Sequence, residues 1–187
     1  MRLSSAARRA EILEAAVAEF ADHGYHGARV EAIAARAGVT HPRVIQLFGS
    51  KQELFLAVVA AAFDRIEEAF ARAVAAPGVE RPFVAMGGAY RDLLADRSVL
   101  LVQLHAYAAA ADAAVGAVVR ARYSELQQVV ARLSGGGPEE VRTFFSTGLV
   151  LTVSAAMRSP QVVADLAWAT AVLRELPALT SSGVSPA

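Results

Sequence analysis

The chain has 187 residues, 55% of them hydrophobic, with 18 basic and 18 acidic side chains and no cysteine. That length fits one large domain or two small ones on a shared framework, and the apolar share, above the ~45–50% usual for a soluble domain, calls for a second buried surface such as a subunit interface or an internal pocket. Balanced charge gives no general pull toward nucleic acid, and the lack of cysteine excludes thiol catalysis, cysteine-ligated zinc and disulfides together.

From the N-terminus, Met1–Ala10 carries arginines with no apolar run behind them, so no export signal is visible and the cytoplasm is the expected location. Ser4 or Ser5 can cap a first helix whose apolar stripe is Ile12, Leu13, Ala16, Val17 and Phe20, with Gly24 placed to close it. A short second helix is expected over Val30–Ala37, broken by Gly38, and a third over His41–Phe48, capped by Thr40. Gly49 then interrupts the chain, and Ser50 and Glu53 can form a reciprocal capping box at the start of a fourth helix that runs to about Ala76. Pro77-Gly78 ends it. Five more helices follow, over about Arg81–Ala95, Ser98–Ala111, Asp112–Leu133, Pro138–Arg158 and Pro160–Leu176. The uncharged runs Val99–Ala111 and Thr143–Met157 are 13 and 15 residues long. A helix needs ~20 to cross a bilayer, so both are read as core helices and no membrane partner is expected. No stretch alternates with a period of two, so the fold class is all-α with about nine helices. Residues 179–187, small and polar, read as a disordered tail.

Val30–Phe48 has the spacing of a helix-turn-helix. Two helices that cross steeply need a small residue four before the turn, here Ala34, and Gly38 supplies a turn that residues with a Cβ disfavour. Ile33, Val39, Val44 and Leu47 would fill the small core between them. On these residues alone, an ordinary αα-hairpin fits equally well.

The surroundings decide between the two. Ile12-Leu13-xx-Ala16-xxx-Phe20, Gly24-Tyr25, Ile33-Ala34-xx-Ala37-Gly38-Val39-Thr40 and Phe48-Gly49-Ser50-Lys51-xx-Leu54-Phe55 follow one another at set spacing. This segment, about a quarter of the chain by motif, resembles the DNA-binding domain of the TetR family of transcriptional regulators. The resemblance implies an N-terminal three-helix helix-turn-helix domain over residues 1–50. It further implies a C-terminal helical domain for ligand binding and dimerisation over 51–178. Two positions depart from the family pattern: Ala28 stands where a threonine commonly caps the second helix, and Ile45 where a phosphate-contacting tyrosine is common.

At about 100° per residue, the third helix turns Val44, Leu47 and Phe48 inward and Pro42, Arg43, Ile45 and Gln46 outward. Arg43 is the leading base reader, because its fork matches guanine O6/N7, and Gln46 can pair with adenine in the same two-point way. Ile45 could touch a thymine methyl. Thr40 sits at a helix N-terminus, where a phosphate is favoured, and His41 and Pro42 occupy the first turn, which suits proline. Lys51 is the only lysine beside 17 arginines. It starts the fourth helix, and the resemblance implies that it clamps a backbone phosphate. Arg8 and Arg9 are further phosphate candidates, or a plain solvated face.

In the family, two late helices pair across a twofold axis, which here implies a homodimer through Phe144, Phe145, Leu149, Leu151, Val162, Leu166, Trp168 and Val172. A larger monomer core is the alternative. A ligand pocket would lie among the helices spanning 81–133, lined by Phe83, Met86, Tyr90, Leu101, Leu104, His105, Tyr107 and Tyr123, each equally readable as core. The expected partners are therefore an inverted-repeat DNA operator, a second copy of the chain and a small, largely apolar effector that releases repression. No catalytic motif, cofactor loop or metal is expected: Asp22, His23 and His26 form the one compact metal-like cluster, and Gly24 breaks the helix between them. A helical adaptor or apolar-ligand carrier that never touches DNA is the main rival reading.

Overall fold

The computed structural model describes residues 4–158 and 162–178. Among these residues it contains nine α-helices and no strand. The helices are α1 (Ser5–Gly27), α2 (Val30–Arg36), α3 (His41–Phe48), α4 (Lys51–Val74), α5 (Pro82–Leu93), α6 (Arg97–Ala108), α7 (Ala113–Ser134), α8 (Pro138–Ala156) and α9 (Val162–Glu175). A 3-10 turn at Ala109–Ala111 follows α6. The all-α expectation holds, and α3 has the limits its sequence suggests. Residues 179–187 and the expected start of the last helix at Pro160 lie outside the described residues.

Helix starts are held by different means. Ser4 caps α1 by accepting from the Ala7 amide at 3.1 Å, and Ser50 caps α4 by accepting from the Glu53 amide at 3.0 Å. Asp96 does the same for α6 through Ser98, and Asp112 for α7 through the Ala114 and Val115 amides, all at 3.0 Å. Thr40, expected to cap α3, makes no such side-chain bond, and α3 relies on Pro42, whose missing N–H would have had no helical partner in the first turn.

The end of α1 extends the sequence reading. Gly24 interrupts the helix as expected, at φ 67, ψ −179, but helical structure resumes to Gly27, so that α1 carries a kink. Helix α2 has no side-chain cap of its own at Arg29. Its entry is held instead by Glu19, a buried carboxylate on α1 that accepts from the Arg29 amide at 3.0 Å. Burying that carboxylate is tolerable because a charged acceptor on a backbone N–H makes a strong hydrogen bond. The place left without a cap by Ala28 is thus secured from a residue nine positions earlier.

The chain divides into two compact units. The first joins residues up to Arg65 with Leu94–Ser124, and the second joins Ile66–Leu93 with the chain from Glu125 onward. In the first, Ile12, Phe20, Ile33, Val44, Leu54 and Phe55 are buried to 0% exposure and form a core shared by α1–α4. The Phe20 and Phe55 rings meet edge-on at 4.9 Å, a favourable arrangement for two quadrupoles. In the second, the Phe144 ring of α8 lies 5.5 Å from Phe70 of α4 and 5.8 Å from Phe83 of α5. Among the described residues, no helix is long and apolar enough to cross a membrane.

Candidate nucleic-acid interface

The geometry between α2 and α3 is that of a helix-turn-helix. Gly38 takes φ 63, the left-handed conformation that costs a residue with a Cβ about 1 kcal/mol or more. The Val39 amide then reaches back to the Ala34 carbonyl at 2.9 Å, and Ala34 itself is 3% exposed, leaving no room for a larger side chain. Val44 and Phe48 turn α3 into the core, so Pro42 and Gln46 are exposed and Arg43 and Ile45 half-buried.

Arg43 and Gln46 stand side by side: the guanidinium donates to the Gln46 side-chain oxygen at 2.6 Å. The two residues assigned to base reading are therefore brought together, and each restrains the other's rotamer. Thr40 is exposed, with its hydroxyl not committed to the helix. His41 is exposed and lies 3.9 Å from Glu31 of α2, a distance that fixes neither group firmly.

Lys51 is held at the other edge. Its ammonium donates to the His26 carbonyl at 3.0 Å and sits 5.5 Å above the Tyr25 ring. Tyr25 in turn packs against Phe55 at 4.8 Å. The lysine thus rests on the segment of α1 beyond the kink. Arg9 lies over the Phe48 ring at 4.3 Å and ties α1 to the end of α3, whereas Arg8 is paired with Glu11 at 2.7 Å.

Sequence reasoning missed two contributors. One is Glu19, whose partner Arg29 lies ten residues away. The other is His105 on α6, expected in a ligand pocket, whose Nε2 donates to the Ala21 carbonyl at 3.2 Å. Its Nδ1 lies 3.0 Å from where a Cβ on Gly24 would stand. The signal available was Gly24 itself, a glycine inside a helical pattern, which marks a break or a close approach.

The remaining pocket candidates divide between the units. Phe83 and Met86 are buried in the second, where the Tyr90 hydroxyl meets the Thr152 hydroxyl at 2.6 Å. Leu101, Leu104, Tyr107 and Tyr123 belong to the first. There the Tyr107 and Tyr123 rings lie 6.2 Å apart, and burial pushes the Tyr123 hydroxyl above its ordinary pKa. Among the interface candidates, Phe144 and Leu151 are buried inside their own unit, Leu149 and Trp168 are exposed, and Phe145, Leu166 and Val172 are intermediate. The side chain of Val162 lies outside the described residues. Among the described residues, no group of three or more metal-ligating side chains converges. His23 instead accompanies Glu19 at 3.5 Å.

Two short helices joined by a left-handed glycine turn, in a chain with no strand among its described residues, place this protein among the helix-turn-helix proteins of all-α architecture. Residues 12–58 match the family described as bacterial regulatory proteins, tetR family. It is 46% identical over 65 residues to the HTH-type transcriptional activator FasR of Mycolicibacterium smegmatis, which is 35% of this chain and 30% of that protein. Over 53 residues it is 49% identical to the HTH-type transcriptional repressor SCO4008 of Streptomyces coelicolor, 28% of each chain. The matched segments thus span less than a third of these curated relatives. Across 92% of its length the chain superposes on the crystal structure of a TetR-like transcriptional regulator from Rhodococcus sp. RHA1, 97% of that chain, with a TM-score of 0.71 and 25% identity.

Proposed function

We propose that the chain is a sequence-specific DNA-binding transcriptional regulator that acts as a homodimer on an inverted repeat and is released by a small, largely apolar ligand. The observation that carries the reading is the outward face of α3, where Arg43 and Gln46 are paired at 2.6 Å and flanked by the lysine of α4. A paired Arg and Gln present donors and acceptors to neighbouring base edges, while Lys51 supplies a point charge for a phosphate. The sign we propose is repression, since occupying an operator that overlaps a promoter needs no further contact. The names of the relatives include both signs. Its place of action would be the cytoplasm.

The dimer is supported by an apolar stripe. Leu149 and Val153 of α8 and Met157 just past its end recur every fourth residue, and with Val150 of α8 and Trp168 of α9 they are 41–67% exposed. Large side chains left in water at helical spacing mark a face that another helix covers. Introducing Leu149→Glu together with Val153→Glu should convert a dimer into a monomer of unchanged helicity, read by light scattering and circular dichroism. A dimer that persists would move the interface elsewhere.

Selection from random duplex DNA with the purified chain tests the function. An enriched inverted repeat, with half-sites about 34 Å apart and affinity falling steeply with salt, is the expected result. No enrichment at low salt would favour the adaptor or carrier reading. On the selected site, Arg43→Ala should weaken binding by about 1–3 kcal/mol and relax one base position. Lys51→Ala should weaken all duplexes alike and flatten the salt slope by about one.

A further inference from the structure

The second compact unit holds a cavity of about 300 Å³ bounded by α5, α8 and α9. Helix α5 contributes Val84, Gly88 and Arg91, and α9 contributes Leu166, Leu173 and Arg174. On α5, Val84, Gly88 and Arg91 share one side, because residues four and seven apart lie on one side of a helix, and Gly87, four after the buried Phe83, joins that side to the core.

The chemistry of that space is divided. Its walls are largely aliphatic, with Leu151 of α8 and Ala169 of α9 completing them beside Thr170, while among the described residues both ionisable groups that line it are arginines and no carboxylate does. Arg91 is half-exposed and its contact with the neighbouring Asp92 is 3.3 Å long, a solvated pair that a better acceptor would displace at little cost. An arginine fork matches a carboxylate at two points. A largely aliphatic wall with two permanent positive charges therefore selects a molecule with an apolar body and one anionic end. The volume lies at the small limit of the ~300–1,000 Å³ typical of ligand sites, which sets the size of that body.

We propose that this cavity binds an alkyl or aryl monocarboxylate of medium length, its body between α5 and α9 and its carboxylate on Arg91 and Arg174. The proposal rests on the reading of this unit as the ligand-binding part of a regulator, and it names the ligand class. The two adjacent glycines of α5 define the slot. A Cβ on Gly87 would stand 2.3 Å from Leu173 Cδ1, so the helices touch there. A Cβ on Gly88 would meet nothing nearer than an Arg91 nitrogen at 4.0 Å, so the space opens at that residue.

Titration calorimetry of the full chain with octanoate, without DNA, tests the site. Saturable binding of octanoate is expected, with octanol and octylamine at least tenfold weaker. Arg91→Ala and Arg174→Ala should each weaken octanoate at least tenfold and leave octanol unchanged. Gly88→Leu should abolish binding by filling the slot; leucine favours a helix over glycine, so this variant keeps its fold, checked by circular dichroism. No saturable binding, equal binding of all three amphiphiles, or an unaffected Gly88→Leu variant would each overturn the proposal. DNA affinity measured with and without octanoate is a separate readout. Binding of octanoate with no change on DNA supports the cavity while removing its role in release. If the chain binds no DNA at all, saturable and Arg91-dependent octanoate binding still supports the cavity, and the regulator reading alone fails.

Discussion

Phe55→Ala should lower the stability of the first compact unit by about 3–5 kcal/mol, the usual cost of removing a buried phenylalanine. Phe55 is 0% exposed and sits between two aromatic partners, Phe20 at 4.9 Å and Tyr25 at 4.8 Å, so no single neighbour can collapse into the space it leaves. Against a total of ~5–15 kcal/mol for a typical domain, such a loss is a large share. The effect reaches the DNA face as well. Tyr25 lies under the Lys51 ammonium, and the next carbonyl, that of His26, accepts from it. Once Phe55 no longer supports Tyr25, the lysine loses its seat and operator affinity should fall along with the urea midpoint. A midpoint shift worth less than about 1 kcal/mol would mean that this aromatic cluster is not the core it is described to be.

The second large effect is expected at Gly24→Ala. With φ 67 and ψ −179, this residue occupies backbone space that is essentially reserved for glycine, and forcing a Cβ there costs about 1–3 kcal/mol. A further cost comes from His105, whose ring would stand 3.0 Å from the new carbon and would have to leave the Ala21 carbonyl. The two costs can be separated by a double-mutant cycle measured by urea unfolding. In a His105→Ala background, Gly24→Ala should keep the backbone part of its penalty and lose the steric part. Equal penalties in both backgrounds would show that the ring yields freely. A penalty near zero would mean that α1 can straighten through residue 24.

The limits of α3 were legible because proline near the start and glycine at the end punctuate the chain locally. So was the inward face of α3, since period and apolar pattern agree on Val44 and Phe48. The kink in α1 was not legible in full. Gly24 announced a break, but the return to helix beyond it depends on Tyr25 packing on Phe55 and on Lys51 reaching His26, contacts 30 and 25 residues away in sequence. Nothing in the local sequence marks Glu19 as buried, and only the fold brings the Arg29 amide to it. His105 read as a pocket residue on an apolar helix. Its actual neighbours belong to α1, which lies 84 residues earlier for the hydrogen bond it makes. On α5, Phe83 was readable as pocket or as core; packing against Phe144 assigns it to the core.

The pairing of α1 with α6 inside one compact unit bears on how the specificity of such a chain can change over evolution or in the laboratory. The reading head is not a continuous cassette: residues 1–50 leave behind Leu54, Phe55 and His105, on which its first helix leans. A graft that exchanged the whole N-terminal segment for a relative's would set a foreign α1 against a native α6, with an unmatched kink and an unmatched wedge. The outward residues of α3 carry no such obligation. On the proposed reading of α3, new operators would be reached most cheaply by point changes at Arg43, Ile45 and Gln46, within a frame that stays inherited as one piece.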